Sequence, residues 1–102
     1  MVKKGEARRE PINMNQIVET VVTLTKTDAV NRSCSVITDL DPELIPVEGD
    51  RVQLQQVLLN LVLNAFDAMQ ETPVHLRRIV LSTRSQAGLT VRTAVRDFGT
   101  GL

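Results

Sequence analysis

Apolar residues recur at three- and four-residue steps through Ile17, Val18, Val21, Val22 and Leu24. That period predicts an amphipathic helix over 15–29, with Asn13 or Asn15 as its N-cap. Much of the stripe is β-branched, which lowers intrinsic helix propensity, so packing must carry a large part of the helix's stability. Residues 34–39 form a short β-leaning segment, and Asp41-Pro42, Pro46 and Gly49-Asp50 then punctuate the chain. From 51 to 69 there is neither Gly nor Pro, which predicts a second, longer helix. Asp50 and Gln53 suit a loose capping box at its start, exchanging hydrogen bonds with the unpaired N–H groups of the first turn. After Thr72-Pro73, strands are expected over 78–84 and 89–97. In the latter, Leu89, Val91, Thr93 and Val95 alternate with Thr90, Arg92, Ala94 and Arg96, and a tight turn at Gln86-Ala87-Gly88 joins the two.

The order helix, strand, helix, strand, strand, with a close hairpin at its end, implies antiparallel pairing and helices layered on one face of a sheet. The expected fold class is an α/β two-layer sandwich. A chain of 102 residues supports one core. Its 42% apolar and 24% charged content is that of a globular domain. Twelve basic against twelve acidic residues leave no charge excess of the kind that holds a phosphate backbone, so nucleic acid is not an expected partner. The longest uncharged stretch, 52–66, is shorter than the roughly 18 to 20 residues that span a bilayer, so no membrane contact is expected of this segment. Residues 1–10 mix Lys3, Lys4, Arg8 and Arg9 with Glu6 and Glu10 and read as a solvated lead-in to a domain over 11–102. The single cysteine, Cys34, excludes an internal disulfide and fits a cytoplasmic setting; it is expected to be a small core residue.

The second helix carries the candidate chemistry. Gln56, Asn60 and Asn64 follow at i, i+4 spacing with Asp67 three further on, forming one polar stripe, while Leu54, Leu58, Leu61 and Ala65 occupy another. The plain alternative is the wet side of an amphipathic helix. Solvated faces, however, are usually dressed with Lys, Glu and Arg, whereas every polar residue over 52–66 is a carboxamide. A carboxamide oxygen can ligate Mg²⁺ and its NH₂ can donate to phosphate, without the repulsion a carboxylate would exert. At the far end of the chain, Asp97-Phe98-Gly99-Thr100-Gly101 places an acid at a strand end before two glycines that permit close backbone approach to a ligand.

Residues 50–69, from Asp50 through Asn60, Asn64-Ala65-Phe66-Asp67 to Ala68-Met69, resemble the N box of sensor histidine kinases, and Asp97-Phe98-Gly99-Thr100-Gly101 resembles their first glycine box. The resemblance runs over about 11–102 and is nearest to the nitrogen-regulation and oxygen-sensing type, within the GHKL superfamily. It implies the Bergerat-type ATP-binding fold: a mixed, mostly antiparallel sheet with helices on one face, here incomplete at its C-terminal end. It implies ATP and Mg²⁺ as cofactors. Asn64 would hold the metal, Asn60 and Asp67 would line the same pocket, Asp97 would accept from the adenine amino group, and Gly99 and Gly101 would let the chain pass close to the nucleotide. The implied reaction is phosphoryl transfer in two-component signalling, from ATP to a histidine on a separate helical domain that precedes this one. A response regulator is the indirect partner.

Asn60 bears on reaction type, because the hydrolysing branches of the superfamily carry there a Glu that activates water, and an amide cannot take that proton. A kinase is therefore favoured over a GHKL-type ATPase. Asp67 departs from the family pattern, since many members have a phosphate-neutralising Lys at that position. His75 lacks the acidic neighbour of a phosphoacceptor histidine and reads as a surface loop residue. The ATP lid and second glycine box are not among these residues, so the chain alone is expected not to autophosphorylate. A third reading follows, a module that associates, through strand exchange between two copies, and binds no nucleotide.

Overall fold

In the computed structural model, residues 9–86 and 90–97 are described here. The elements run β1 (Glu10–Ile12), α1 (Met14–Leu24), α2 (Lys26–Asn31), β2 (Ser35–Asp39), β3 (Val47–Gly49), α3 (Arg51–Ala68), a 3₁₀ turn (Val74–Leu76), β4 (Arg78–Gln86) and β5 (Thr90–Asp97). The expected α/β sandwich is present. β2, β4 and β5 form one sheet in that order, β2 parallel and β5 antiparallel to β4, and β1 pairs antiparallel with β3. The turn predicted between β4 and β5 lies outside the described residues, but its strands pair in the hairpin register, from Gln86 opposite Thr90 to Ile79 opposite Asp97.

Alternation along β4 buries Ile79, Leu81 and Thr83 toward the helices, while Arg78 and Arg84 stay exposed on the other face. Met14, Ile17, Val18 and Val21 of α1 and Leu58, Val62, Ala65 and Phe66 of α3 close the core over them. Asn13 and Asp50 are the N-caps of α1 and α3. Asn13 Oδ1 accepts from Asn15 N at 2.9 Å, and Asp50 Oδ1 accepts from Val52 N at 3.0 Å and Gln53 N at 3.3 Å.

Three expectations are corrected. The first helix is two helices broken at Thr25, whose buried hydroxyl donates back to the Val21 carbonyl at 2.8 Å and competes with the helical ladder. Leu24, expected in the apolar stripe, is exposed beside that break. On α3 the buried residues are Leu58, Val62, Ala65 and Phe66, followed by Met69, a stripe of three- and four-residue steps centred on the row Leu58, Val62, Phe66; Leu61 lies at the edge of that stripe and is 49% exposed.

The connection 40–46 is pinned to β4 by a polar knot. Thr83 Oγ1 donates to Asn15 Oδ1 at 2.6 Å and accepts from Asp41 N at 3.0 Å, while Asn15 Nδ2 donates to the Asp41 carbonyl at 2.8 Å. Asp41 accepts in turn from the N–H groups of Glu43 and Ser85. These bonds hold its carboxyl below the usual carboxylate range, Glu43 N–H contributing most.

Candidate functional site

α3 presents its carboxamide stripe to solvent. Gln56, Asn60, Asn64 and Asp67 are all exposed. Gln56 Nε2 donates to Asn60 Oδ1 at 3.3 Å, so the i, i+4 spacing does bring neighbouring amides together. Asn64 makes no side-chain hydrogen bond among the described residues, which leaves its amide oxygen and NH₂ exposed to solvent. A single neutral oxygen donor of this kind suits Mg²⁺, which takes few protein ligands and completes its shell with phosphate oxygens and water.

Asp67 is not a bare acid. Its Oδ1 accepts from Arg32 Nη1 at 2.8 Å, and the Arg32 guanidinium lies 5.7 Å from the centroid of the Phe66 ring. Arg32 sits 35 residues away in sequence, so no local pattern could have announced it.

Asp97 ends β5 on the side of the sheet that faces α3, sharing that face by alternation with Val91, Thr93 and Val95. Its register partner is Ile79, at the start of β4. Arg77, one residue before β4, ties the same end together. It donates through Nε to the Thr72 carbonyl at 2.9 Å, through Nη1 to that of Arg32 at 2.8 Å and through Nη2 to that of Gln70 at 2.8 Å. The exit of α3, the end of α2, the start of β4 and the end of β5 therefore lie at one end of the sandwich, which collects Arg32, Asp67 and Asp97. Gly99 and Gly101 lie outside the described residues.

The other singled-out residues are elsewhere in character. His75 is exposed in the 3₁₀ turn. Cys34 is half-buried just before β2; burial pushes its thiol up, partly opposed by the Arg77 charge, so it is poorly nucleophilic. Away from Asn64 and Asp97, along the N-terminal half of α3 and the first half of β5, Leu54, Val57, Leu61 and Val91 border an apolar groove of about 280 Å³.

No family model matches the chain. Related proteins are nonetheless evident. The chain is 38% identical over 93 residues to the signal transduction histidine-protein kinase AtoS of Escherichia coli, covering 91% of this chain and 15% of that protein. It is 31% identical over 100 residues to the sensor protein FixL of Bradyrhizobium diazoefficiens, covering 98% of this chain and 19% of that one. It thus spans less than a fifth of either. Among solved structures, the nucleotide-free catalytic domain of the histidine kinase ThkA superposes with a TM-score of 0.76 at 28% identity, covering 90% of this chain and 59% of that chain. ThkA has also been solved in complex with the response regulator protein TrrA; there the TM-score is 0.71 at 28% identity, over 85% of this chain and 25% of that chain.

Proposed function

This chain is a homologue of sensor histidine kinases with the fold of their catalytic domain, and on that footing we propose that it binds Mg-ATP for phosphoryl transfer to a histidine on a separate helical domain of the same kinase. The observation that carries the reading is the conjunction of an unpaired carboxamide on α3, Asn64, with an acid on the helix-facing side of β5, Asp97, in this fold. In the proposed site Asn64 ligates the metal through its amide oxygen, Asn60 lines the pocket one turn earlier and Asp97 accepts from the adenine amino group. Gly99 and Gly101 admit the nucleotide past the end of β5.

Bound Mg²⁺, which Asn64 would hold, would neutralise part of the phosphate charge. The chain's own part is to bind and orient. A histidine is a nucleophile without further activation, so the domain has to fix the γ-phosphoryl group in line with it and keep water from competing. Asn60 supports transfer over hydrolysis, because an amide cannot accept a proton from water. The response regulator then receives the phosphoryl group from that histidine, outside this chain, and the setting we propose for the domain is the cytoplasm.

The test is metal dependence. Wild-type chain and Asn64→Ala are titrated with ATP in Mg²⁺ and again in a chelator. Wild type should bind more tightly with Mg²⁺, and the variant should lose that increment while keeping the metal-independent part. ATP affinity that is indifferent to Mg²⁺ in the wild type defeats the metal assignment, and steady phosphate release would favour the hydrolysing branch.

A further inference from the structure

Over 52–66 every polar residue of α3 is uncharged, and the next polar position, Asp67, is an acid. A triphosphate lying on that stripe remains negative even with one Mg²⁺ bound, and transfer chemistry needs that charge balanced in place. The stripe itself supplies no cation, so one must come from another element.

Arg32 arrives from the end of α2. Its only side-chain hydrogen bond among the described residues is the 2.8 Å contact with Asp67, so four of its five N–H donors stay available. Asp67 follows Asn64 by three residues, one turn along the same face, which brings the guanidinium about a helical turn from the proposed metal ligand.

The backbone delivers it there. α2 ends in a Schellman motif: Cys34 N–H donates to the Ala29 carbonyl at 2.9 Å and Ser33 N–H to that of Val30 at 3.1 Å. Ser33 sits at φ 52°, the one non-glycine residue with positive φ among those described, and this turns the chain directly after Arg32. Arg77 holds the Arg32 carbonyl, and the Phe66 ring lies under the guanidinium. Side chain and backbone are both fixed before any ligand arrives.

We propose that Arg32 is the phosphate-binding cation of this site, and that Asp67 is a positioning residue that holds its guanidinium beside Asn64. The inference rests on the nucleotide-binding reading above. A planar guanidinium suits the role, because one edge can stay on a carboxylate while another meets phosphate oxygens.

The experiment is calorimetric titration of wild type, Arg32→Ala and the exchanged pair Arg32→Asp/Asp67→Arg with Mg-ATP and, separately, with adenosine. Arg32→Ala should weaken Mg-ATP by about tenfold or more and leave adenosine within about twofold, since the lost contact is to phosphate alone. The exchanged pair restores an ion pair and places the guanidinium on α3, so it should bind Mg-ATP within about threefold of wild type. Unchanged Mg-ATP affinity in Arg32→Ala, or equal loss for both ligands, overturns the assignment while leaving the nucleotide site standing. Wild type that binds neither ligand overturns both. If Arg32→Ala does not fold, the exchanged pair decides, and its failure to bind Mg-ATP while folded and still binding adenosine refutes the proposal.

Discussion

Replacing Arg77 tests the account of how the site end is held together. Its guanidinium meets three carbonyls, those of Thr72, Arg32 and Gln70, at 2.8 to 2.9 Å. The bonds to Thr72 and Arg32 are part-buried and the one to Gln70 is exposed. Water readily replaces an exposed bond, so only two count fully. At about 1 to 1.5 kcal/mol each, Arg77→Ala should cost about 2 to 3 kcal/mol. That is a large share of the ~5 to 15 kcal/mol expected for a whole domain. An ammonium is a point donor and cannot span three carbonyls set in a fork, so Arg77→Lys should recover one bond at most and still cost about 1 to 2 kcal/mol. Urea denaturation followed by circular dichroism reads this as a lower midpoint at unchanged slope, by about 1 to 2 M for Arg77→Ala. A lysine variant as stable as wild type, or an alanine variant within about 0.5 kcal/mol, would refute the clamp.

Three further outcomes follow from the same contacts. Ser33→Gly removes the side chain from a left-handed position and should stabilise the fold by about 0.5 to 1 kcal/mol in the same denaturation assay, whereas a loss of stability would mean the turn is not strained. Asp41 has its carboxyl held below the ordinary value by the N–H groups of Glu43 and Ser85, so its contribution is present above the unfolded-state value and fades as pH falls through the folded one. Asp41→Asn should therefore flatten the acid side of the stability profile, and an unchanged acid limb would contradict this. β5 has no strand partner on its outer side among the described residues, and Val57 and Leu61 are exposed beside it, so the chain should self-associate as its concentration rises in light scattering; a constant monomer mass to millimolar concentration would count against this.

How much of this was legible in the sequence depends on the range of the interaction concerned. The periodic helices, the capping of α3 by Asp50 and the β4–β5 hairpin are local, so spacing alone recovers them. β1 and β3 are three residues each, too short to leave a period, and they are defined by pairing with each other across a long stretch of sequence, Glu10 opposite Gly49 and Ile12 opposite Val47. The parallel pairing of β2 with β4 spans some forty residues, and no local signal reports it. The break at Thr25 was hidden because a back-bonding hydroxyl looks, in sequence, like any other helical position. At the site, the stripe of Asn60 and Asn64 could be read directly from i, i+4 geometry. The cation beside it could not, because Arg32 meets Asp67 only after the chain has passed through β2, β3 and most of α3.

The central claim is that the end of the sandwich marked by Asn64 and Asp97 is an adenine nucleotide site. It is tested most directly by calorimetric titration of the folded chain with Mg-ADP alongside Asp97→Ala. A hydrogen bond from the adenine amino group to a carboxylate contributes about 1.5 to 3 kcal/mol, so the variant should bind about ten- to a hundredfold more weakly than wild type. Wild-type chain that is folded yet takes up no Mg-ADP, or an Asp97→Ala variant that binds as tightly as wild type, would contradict the account.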